Sequence, residues 1–585
     1  MDPLIIIRLC IVFGTIGVLV VLSVLSTSPS SPISSFDDDV FNLEFLHERV
    51  YIKSIDTYVW MRRLRQRRRP SHNSEGHPHT CSATRDMLSN PCWRVEGGDS
   101  LRINVVNNLN GDYNIMRQKP YPSFINNIIN NIPNHQQQNL PGNTYAFGYV
   151  NLHLHGMQVT PHLFDPPGTV DPNSDWISIR PGSSYNYEFV IPKTHPSGSF
   201  LIHPHLHGNV MLQMFNGAFG LIQVGEFVPS TVKCEVMKQR LCLWTFNKAK
   251  NANRSADFID STDETTSFGK LLKQASFIRM VNDVSAPLHI TFLSHKPILL
   301  EFVGGLAISS VVVSIHCEGC NYPIGFVVVE QDGQQYSSMF ERHRTHLIVN
   351  SGTRIKILFA TTAGVYHVES RTIRPGLEYN KSIHVIARLN ITQTTTLEGC
   401  FATNRKNSYD GQQETTVTTA PPINNNSTII RRSIIFDVDL HNKTLPFPQF
   451  IINDRLFNIK ASKNYKPPII SDQPGIENWE IINKLGIHVY HQHVCPARIL
   501  SIHALSWEHI RDTFFSGDGY VMSEYKRGLM EQNIRDTLLI FTGVSITIVQ
   551  DFSCCHDIDC SGKTLVHCHL LNHEDTGMIF PFIIQ

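Results

Sequence analysis

The sequence predicts an all-β protein built from several sandwich domains. Its 585 residues are too many for one domain, since a domain usually takes about 100 to 200 residues. Short runs of β-branched and aromatic residues recur between turn residues, while helical periodicity is scarce. Representative runs are SLRINVVNNL (100–109), YNYEFVIP (185–192), AFGLIQV (218–224), HLIVNSGTRIKILFA (346–360), SIIFDVDL (433–440) and SITIVQDF (545–552).

The composition excludes several classes of protein. Hydrophobic residues make up 41% of the chain and charged residues 17%, so the body is neither disordered nor collagen-like. Lys plus Arg and Asp plus Glu balance at 50 each, and no nucleic-acid partner is expected from such a charge. The unusual feature is the 29 histidines, for which metal binding is the leading explanation.

The N-terminus resembles a targeting segment. Residues 9–25 are almost wholly apolar, Arg8 precedes them, and an acidic run follows at 37–39. The apolar stretch is intermediate in length between a signal-peptide core and a membrane span of about 20 residues. We therefore predict that residues 1–28 form a hydrophobic helix that is either a cleaved signal peptide or a signal anchor. As an anchor, it would enter a membrane through residues 4–25. A stalk is predicted at 29–44, and both alternatives place the body outside the cytosol.

Other features fit an extracytosolic glycoprotein. Disulfides are permitted there, and the odd number of cysteines left after Cys10 and Cys568 predicts a free thiol. Cys317 and Cys320 form a CxxC that is better explained by a local disulfide than by zinc or redox chemistry. Acceptors for N-glycosylation occur at Asn253, Asn380, Asn390, Asn425, Asn426 and Asn442.

Three segments interrupt the strand pattern. Six arginines lie within residues 62–69 and are interpreted as a solvated loop, with a processing site or an anionic contact as alternatives. The Asn-rich stretch 106–143 is interpreted as a loop insertion, and residues 403–430 as an interdomain linker.

Histidine pairs are the main chemical signal. On the order of one or two His-x-His triplets are expected by chance, whereas six occur. They are His77/His79, His153/His155, His203/His205, His205/His207, His491/His493 and His567/His569.

The C-terminal stretch VHCHLLNHEDTGM is the most specific of these motifs. Successive strand side chains point to opposite faces, so Cys568 faces away from His567 and His569. A thiolate with two histidines and the weak thioether of Met578 is the set that favours copper for electron transfer. His573 can supply one of the two histidines.

The same alternation applies to GIHVYHQHV. His491 and His493 share one face, whereas His488, three positions earlier, lies on the other and can complete the thiolate site. The remaining same-face pairs give a second centre eight histidines, enough for three coppers: His153, His155, His203, His205, His491, His493, His567 and His569.

These motifs resemble a laccase-like, bacterial-type branch of the multicopper oxidase family over roughly residues 95–585. The matching stretches are NLHLHG, RPG, HPSG, HPHLHG and HCHLLNHEDTGM, in the family's order. The resemblance implies three cupredoxin-like Greek-key β-sandwich domains at 45–227, 228–420 and 430–585. It places the multi-copper cluster between the first and third domains, with no ligand from the second.

The resemblance also implies a ligand for each of four coppers. His153 and His491 would bind the lone copper of a trinuclear cluster, and the other six cluster histidines would bind a coupled pair. His488, Cys568 and His573 would bind a mononuclear blue copper, with Met578 as the axial ligand. The third motif departs from the family pattern, because it lacks Pro after His488, carries Gln492 and lies beside Cys495.

The implied activity is one-electron oxidation of a small reducing substrate, phenol-like or another organic compound, coupled to reduction of dioxygen to water. Electrons would enter at the exposed edge of His488 or His573 and pass through Cys568. Asp165 corresponds in position to an acidic residue near the cluster in some relatives, with a solvated loop aspartate as the alternative. The other hypotheses are a ferroxidase or cuprous oxidase, a catalytically silent surface protein on this scaffold, and a copper nitrite reductase, which the paired histidines disfavour.

A few histidines match no ligand position and are interpreted as ordinary side chains. They are His77, His79, His162, His195 and His207, of which His207 could support a ligand.

Overall fold

The computed structural model describes most of the chain from Val40 onward. The described residues are 40–52, 57–66, 91–109, 149–164, 176–208, 210–215, 217–248, 276–282, 284–336, 343–373, 382–401, 430–440, 449–457, 469–470, 476–531, 534–552 and 558–584.

The first part of the chain forms two four-stranded sheets, in the orders β2-β1-β4-β6 and β3-β8-β7-β5. In β4 the inward positions Leu101, Ile103 and Val105 are buried between exposed or half-buried neighbours, as expected for a sheet with one covered face. They join Trp93 and Ile202 of the other sheet in one core. The elements are β1 (Val40–Ile52), β2 (Thr57–Gln66), β3 (Cys92–Val95), β4 (Ser100–Asn107), β5 (His153–His155), β6 (Ser184–Val190), β7 (Gly198–His203), α1 (Val210–Phe215) and β8 (Gly220–Val224).

The middle part forms an eight-stranded and a five-stranded sheet. Their facing side chains share a core that includes Leu241, Phe302, Val313 and Val368. The strands are β9 (Met237–Lys248), β10 (Ser276–Val281), β11 (Val284–Ser285), β12 (Leu288–Phe292), β13 (Ile298–Gly305), β14 (Ser310–Cys317), β15 (Phe326–Gln331), β16 (Gln334–Gln335), β17 (His343–Arg344), β18 (His346–Val349), β19 (Arg354–Phe359), β20 (Gly364–Ile373) and β21 (Ile383–Ile391).

The last part forms a six-stranded and a five-stranded sheet, the second in the order β24-β32-β31-β26-β29. Its core includes Trp479, Val489, Ile548 and Phe582. The elements are β22 (Ile430–Asp439), β23 (Gln449–Ile452), β24 (Ile469–Ile470), β25 (Ile476–Asn483), β26 (Ile487–Gln492), β27 (Ala497–Ala504), α2 (Trp507–Phe514), α3 (Gly519–Glu531), β28 (Ile534–Arg535), β29 (Thr537–Phe541), β30 (Val544–Asp551), β31 (Gly562–Cys568), α4 (Leu571–Asp575) and β32 (Ile579–Ile584).

The prediction of a mostly β protein is confirmed. Helices α2 and α3, between β27 and β28, were not expected. The side chain of Ser506 caps α2 by accepting the backbone N–H of His509. Ile510 and Phe514 are the buried residues on the inward face of that helix. Within the described ranges no helix combines the length and the apolarity that a membrane span requires.

Two predictions near the N-terminus need correction. β1 begins at Val40, inside the predicted stalk 29–44, because Leu43 is an inward, buried position of a strand that pairs with β4. The arginine run is not a loop at 62–66, since these residues belong to β2, which pairs with β1. Residues 67–69, the apolar segment 1–28 and the stalk up to residue 39 lie outside the described residues.

The cysteine predictions can be compared directly with the structure. The local Cys317–Cys320 disulfide is confirmed, and a further disulfide joins Cys234 to Cys400. Cys242 carries a buried thiol. Of the glycosylation acceptors, Asn390 lies exposed on β21, and the others lie outside the described residues.

Candidate metal centre

Strand pairing brings the histidine motifs face to face. On β5 and β7 His153 lies directly opposite His203, and on β26 and β31 His491 lies directly opposite His567. Directly opposed strand residues have Cβ atoms about 5 Å apart, so each pairing sets two rings side by side. All eight cluster histidines are buried, with at most 4% of any of them exposed.

Six of the eight rings form two triplets. In the first, the Nε2 atom of His567 lies 3.1 Å from that of His205 and 3.2 Å from that of His493. In the second, His569 Nε2 lies 3.1 Å from His155 Nδ1, and the ring of His203 lies 5.3 Å from that of His569.

The pair left over consists of His153 and His491, whose ring centroids are 6.1 Å apart. The ring of His153 stacks on that of His493, and the ring of His491 stacks on that of His155. His153 and His491 are thus farther from each other than each of them is from a ring of a triplet.

Hydrogen bonds leave ring nitrogens of the cluster with free lone pairs. A carbonyl oxygen can only accept, so His203 Nδ1–H donates to Pro204 O over 2.8 Å, and His491 Nδ1–H donates to Asp536 O over 2.8 Å. The Nε2 atoms of both rings, and that of His153, are buried and hydrogen-bond to no described residue. Neutral imidazoles with such lone pairs are the donors that copper prefers, and the residues fit that metal.

Burial keeps the cluster histidines neutral. Desolvation lowers the pKa of His203 and of His567 to about 3, and it lowers the pKa of His569 well below the usual value, helped by neighbouring histidines. A histidine must be deprotonated to bind a metal, so these rings need no proton loss before a cation enters.

The middle sandwich supplies no cluster histidine but forms a wall of the site. Ser351 Oγ lies 2.9 Å from His569 Nδ1 and donates its own proton to Leu306 O. The ring N–H of His569 therefore donates to Ser351, which leaves Nε2 facing His155. Gly352 has φ of +86°, and a Cβ there would lie 2.5 Å from His155 Cε1.

Arg354 joins the three sandwiches behind the cluster. Its guanidinium donates to Ser199 O over 2.9 Å, to Gly352 O over 2.9 Å and to Asp536 Oδ2 over 2.8 Å. Asp536 in turn holds His491 through its backbone carbonyl. Arg354 and Asp536 are both buried, so this fork positions a candidate ligand from a distance.

An acidic residue bridges the first triplet. Glu574 is fully buried, its Oε1 atom lies 3.3 Å from His205 Nδ1, and its Oε2 atom lies 3.1 Å from His567 Nδ1. Burial raises the pKa of Glu574 well above its usual range. Its neighbour Asp575 accepts the backbone N–H groups of Gly208 and Met211, each over 2.8 Å, and so ties α4 to the loop that follows His205.

A second pocket lies on the other face of β31. The Sγ atom of Cys568 is 3.6 Å from His488 Nδ1 and 3.6 Å from His573 Nδ1, and the two Nδ1 atoms are 3.1 Å apart. His488 Nε2–H donates to Leu485 O over 2.8 Å, which leaves its Nδ1 lone pair facing the thiol. Burial raises the pKa of the Cys568 thiol to about 12, so a bound cation would be needed to form the thiolate.

The two histidines of this pocket differ in exposure. His488 is fully buried, whereas His573 is half-buried, and Phe450 stacks on its ring at 3.7 Å between centroids. Met578 is fully buried, and its backbone N–H donates to His573 O over 3.0 Å. Of the predicted site residues, Asp165 lies outside the described residues.

Sequence reasoning missed the residues that support the histidines. The stretch NSGTR contains Ser351, Gly352 and Arg354. The sign in the sequence that it could support the site was a turn of small residues followed by an arginine at an inward strand position. Glu574 lies inside the quoted motif but was given no role. His162, interpreted as an ordinary side chain, lies 3.2 Å from His153, whereas His207 packs beside Phe457.

Comparisons with known proteins agree with this arrangement. Residues 432–585 match the family model described as multicopper oxidase. A stretch of 141 residues is 28% identical to a laccase of Bacillus stratosphericus, and it covers 24% of this chain and 25% of that protein. The sequence alignment thus spans about a quarter of the curated relative's length.

Solved structures extend the likeness to nearly the whole chain. A metallo-oxidase from Campylobacter jejuni superposes with a TM-score of 0.58 at 16% identity, over 94% of this chain and 92% of that one. A laccase-like multicopper oxidase from Ochrobactrum sp. gives 0.55 at 16%, over 94% and 98%. Fet3p, a multicopper oxidase that functions in iron import, gives 0.56 at 14%, over 93% and 90%.

At such identities the structural likeness establishes the fold alone, which is that of cupredoxin-like multicopper oxidases. The family-model match covers residues 432–585, so similarity in sequence to multicopper oxidases is shown for the last part of the chain and similarity in fold for nearly all of it.

Proposed function

We propose that this protein is a copper-dependent oxidase that transfers single electrons from a small reducing substrate, phenol-like or another organic compound, to dioxygen and releases water. One observation carries the proposal. Cys568 lies between two converging histidines on one face of β31, while its chain neighbours His567 and His569 each belong to a triplet on the other face.

The proposed cofactor is four coppers per chain. His488, Cys568 and His573 would hold one, together with Met578. His205, His493 and His567 would hold a second, and His155, His203 and His569 a third. His153 and His491 would hold the fourth. When bound, the coppers store the electrons that dioxygen needs for complete reduction to water.

The protein supplies the path between the two sites. Cys568 is covalently joined to His567 and His569, so electrons cross between the faces through one strand. The backbone N–H of Val489 donates to Cys568 Sγ over 3.4 Å and fixes the sulfur. Of the two histidines expected as an entry point, His573 is favoured because His488 is fully buried.

Reduction of dioxygen to water also requires protons. Glu574 is the group best placed to hold one beside the first triplet, because its carboxyl contacts two cluster rings and burial raises its pKa. Asp165 stays a second proposal for this role.

A metal-ion reductant, ferrous or cuprous, is the second candidate substrate. Burial lowers the pKa of His488 to about 4, and the charge of Asp437, which also pairs with Lys484, opposes that shift in part. A carboxylate that acts on a ring of the thiolate pocket would favour a cation over a neutral phenol as the electron donor. The silent-scaffold hypothesis predicts missing ligands, and the described residues include the full set of ten histidines, Cys568 and Met578.

The proposed address is extracytosolic, with the body secreted or held to a membrane through residues 4–25. The apolar N-terminal segment and the acidic run after it support this proposal.

Oxygen uptake by copper-loaded protein tests the activity. A phenol, ferrous iron and cuprous ion would be supplied separately at matched concentrations. We expect uptake with at least one reductant, four electrons consumed per dioxygen and no accumulation of hydrogen peroxide. Peroxide as the main product, or no uptake with any reductant by protein carrying four coppers, would contradict the proposal.

A further inference from the structure

His162 lies beside His153, against the Nδ1 edge of its ring. Its Nε2 atom is 3.2 Å from His153 Nδ1, and the two rings stack at 5.2 Å between centroids. The same Nε2 atom accepts the backbone N–H of Leu154 over 3.0 Å. On the far side of the ring, Nδ1 lies 3.1 Å from Thr160 O.

These contacts determine which atom carries each proton. Thr160 O can only accept, so His162 Nδ1 carries a hydrogen and donates it. Leu154 N–H can only donate, so His162 Nε2 presents a lone pair. The proton between the two histidines therefore belongs to His153 Nδ1, which shares the single lone pair of His162 Nε2 with Leu154 N–H in a three-centre hydrogen bond. As a result His153 Nε2 keeps its lone pair, and it is a buried atom that hydrogen-bonds to no described residue.

We propose that His162 is a positioning residue that fixes the tautomer and ring orientation of His153, so that His153 Nε2 binds copper. The proposal rests on the proposed function, because it takes His153 as a ligand of the lone copper. At His203 and His491 a backbone carbonyl does the same, from Pro204 and from Asp536 respectively, and at His569 the acceptor is the Ser351 hydroxyl. At His153 the acceptor is a side chain, and it can be replaced by mutation.

His195 provides a matched control, because it supports the same stretch of backbone that His162 contacts. Its Nε2 accepts the backbone N–H of Gln158 over 3.1 Å, and its Nδ1–H donates to Pro196 O over 2.9 Å. It repeats the bonding of His162 to the backbone, but its ring packs on Phe200, 4.9 Å away, instead of a candidate ligand. A change at His195 therefore removes the same local support without touching His153.

The test compares His162→Leu, His162→Gln and His195→Leu with the wild type, each loaded with copper. Leucine fills similar volume but accepts no hydrogen bond, whereas the glutamine amide oxygen can accept from both Leu154 and His153. Copper per chain, the paramagnetic resonance signal of the lone copper and the blue absorption of the Cys568 site are measured.

We expect His162→Leu to weaken binding of the lone copper roughly 10- to 100-fold, with loss of that copper's resonance signal and an unchanged blue band. His162→Gln should keep most of the signal, and His195→Leu should keep all of it. The proposal is overturned if His162→Leu retains the signal, if His195→Leu loses it equally, or if His162→Leu also loses the blue band. A wild type that binds fewer than four coppers would instead overturn the proposed function, and the two failures are thus distinguishable.

Discussion

The two candidate copper sites share strand β31 but are built differently. The pocket of Cys568 takes His488 and His573 from the same sandwich, so its groups are set by the local pairing of β26 with β31. The eight-histidine cluster takes rings from the first and last sandwiches, and the middle sandwich closes it with Ser351. One site is complete within a domain, whereas the other exists only where domains meet.

Because the two sites are built differently, different substitutions should remove copper from each. Damage to interdomain contacts should empty the cluster and spare the blue site, whereas damage to Cys568 should do the reverse. Substitutions at the contact of the three sandwiches can therefore separate the two centres.

The largest effect is expected from Cys568→Ser. A hydroxyl does not replace a thiolate as a soft copper ligand, so the blue absorption and the oxidase activity should both be lost. The cluster should still take up about three coppers, because its histidines lie on the other face of β31. Visible absorption, copper content and oxygen uptake measure these outcomes, and a persisting blue band would refute the assignment of Cys568.

Arg354→Met should destabilise the contact between the sandwiches. It leaves Asp536 and Asp332 buried without their cation, a change that typically costs about 3–5 kcal/mol. Urea unfolding of the apoprotein measures the loss, and copper content should show a depleted cluster beside an intact blue site. The control is Arg388→Met, which breaks an exposed pair with Glu318 worth about 0–1 kcal/mol. Equal losses in the two variants would contradict the role given to Arg354.

Gly352→Ala should act on the cluster by direct contact. The new Cβ would lie 2.5 Å from His155 Cε1 and 3.3 Å from His569 Nε2, which forces both rings to move. Gly319→Ala is a matched control in the same sandwich, because its φ of +81° carries the same backbone cost of about 1–2 kcal/mol and nothing lies within 4 Å of its Cβ. Copper titration should show weaker cluster binding in Gly352→Ala alone. Equal copper binding in both variants would mean that the middle sandwich does not shape the cluster.

Phe450→Leu should have the smallest effect and should be confined to the blue site. Phe450 covers one face of His573, so a smaller side chain opens the proposed entry point for electrons. Copper content should not change, and the rate with a bulky phenol should rise by less than about tenfold, a barrier change of about 1.4 kcal/mol. Steady-state rates with a phenol and with ferrous iron measure it. A loss of cluster copper would contradict the separation of the two sites.

The convergence of the histidines was predictable because it depends on local geometry. Side chains alternate along a strand, so HCH at 567–569 places Cys568 opposite its neighbours, and the spacing of His488 and His491 separates them in the same way. The structure brings each of these side chains to the expected face. Once the faces are known, the histidine motifs meet if their strands are neighbours in a sheet. The strand order that the family resemblance implies makes them neighbours.

The supporting residues were not predictable because they depend on contacts between distant segments. Ser351 and Arg354 reach the cluster from another sandwich, and no spacing rule within their own strand connects them to His569 or Asp536. The contact of His162 with His153 was missed for a related reason, because it depends on the turn that returns His162 to that ring. The stalk was predicted to extend to residue 44 because Ser, Pro and Asp residues precede β1, whereas that strand begins at Val40.

The most direct test of the account is the copper content of the wild-type chain, measured together with its blue absorption after full loading. The two-site arrangement predicts four coppers per chain, one of them blue, and three without blue absorption in Cys568→Ser. Fewer than four coppers in the fully loaded wild type, or four coppers without a blue band, would contradict it.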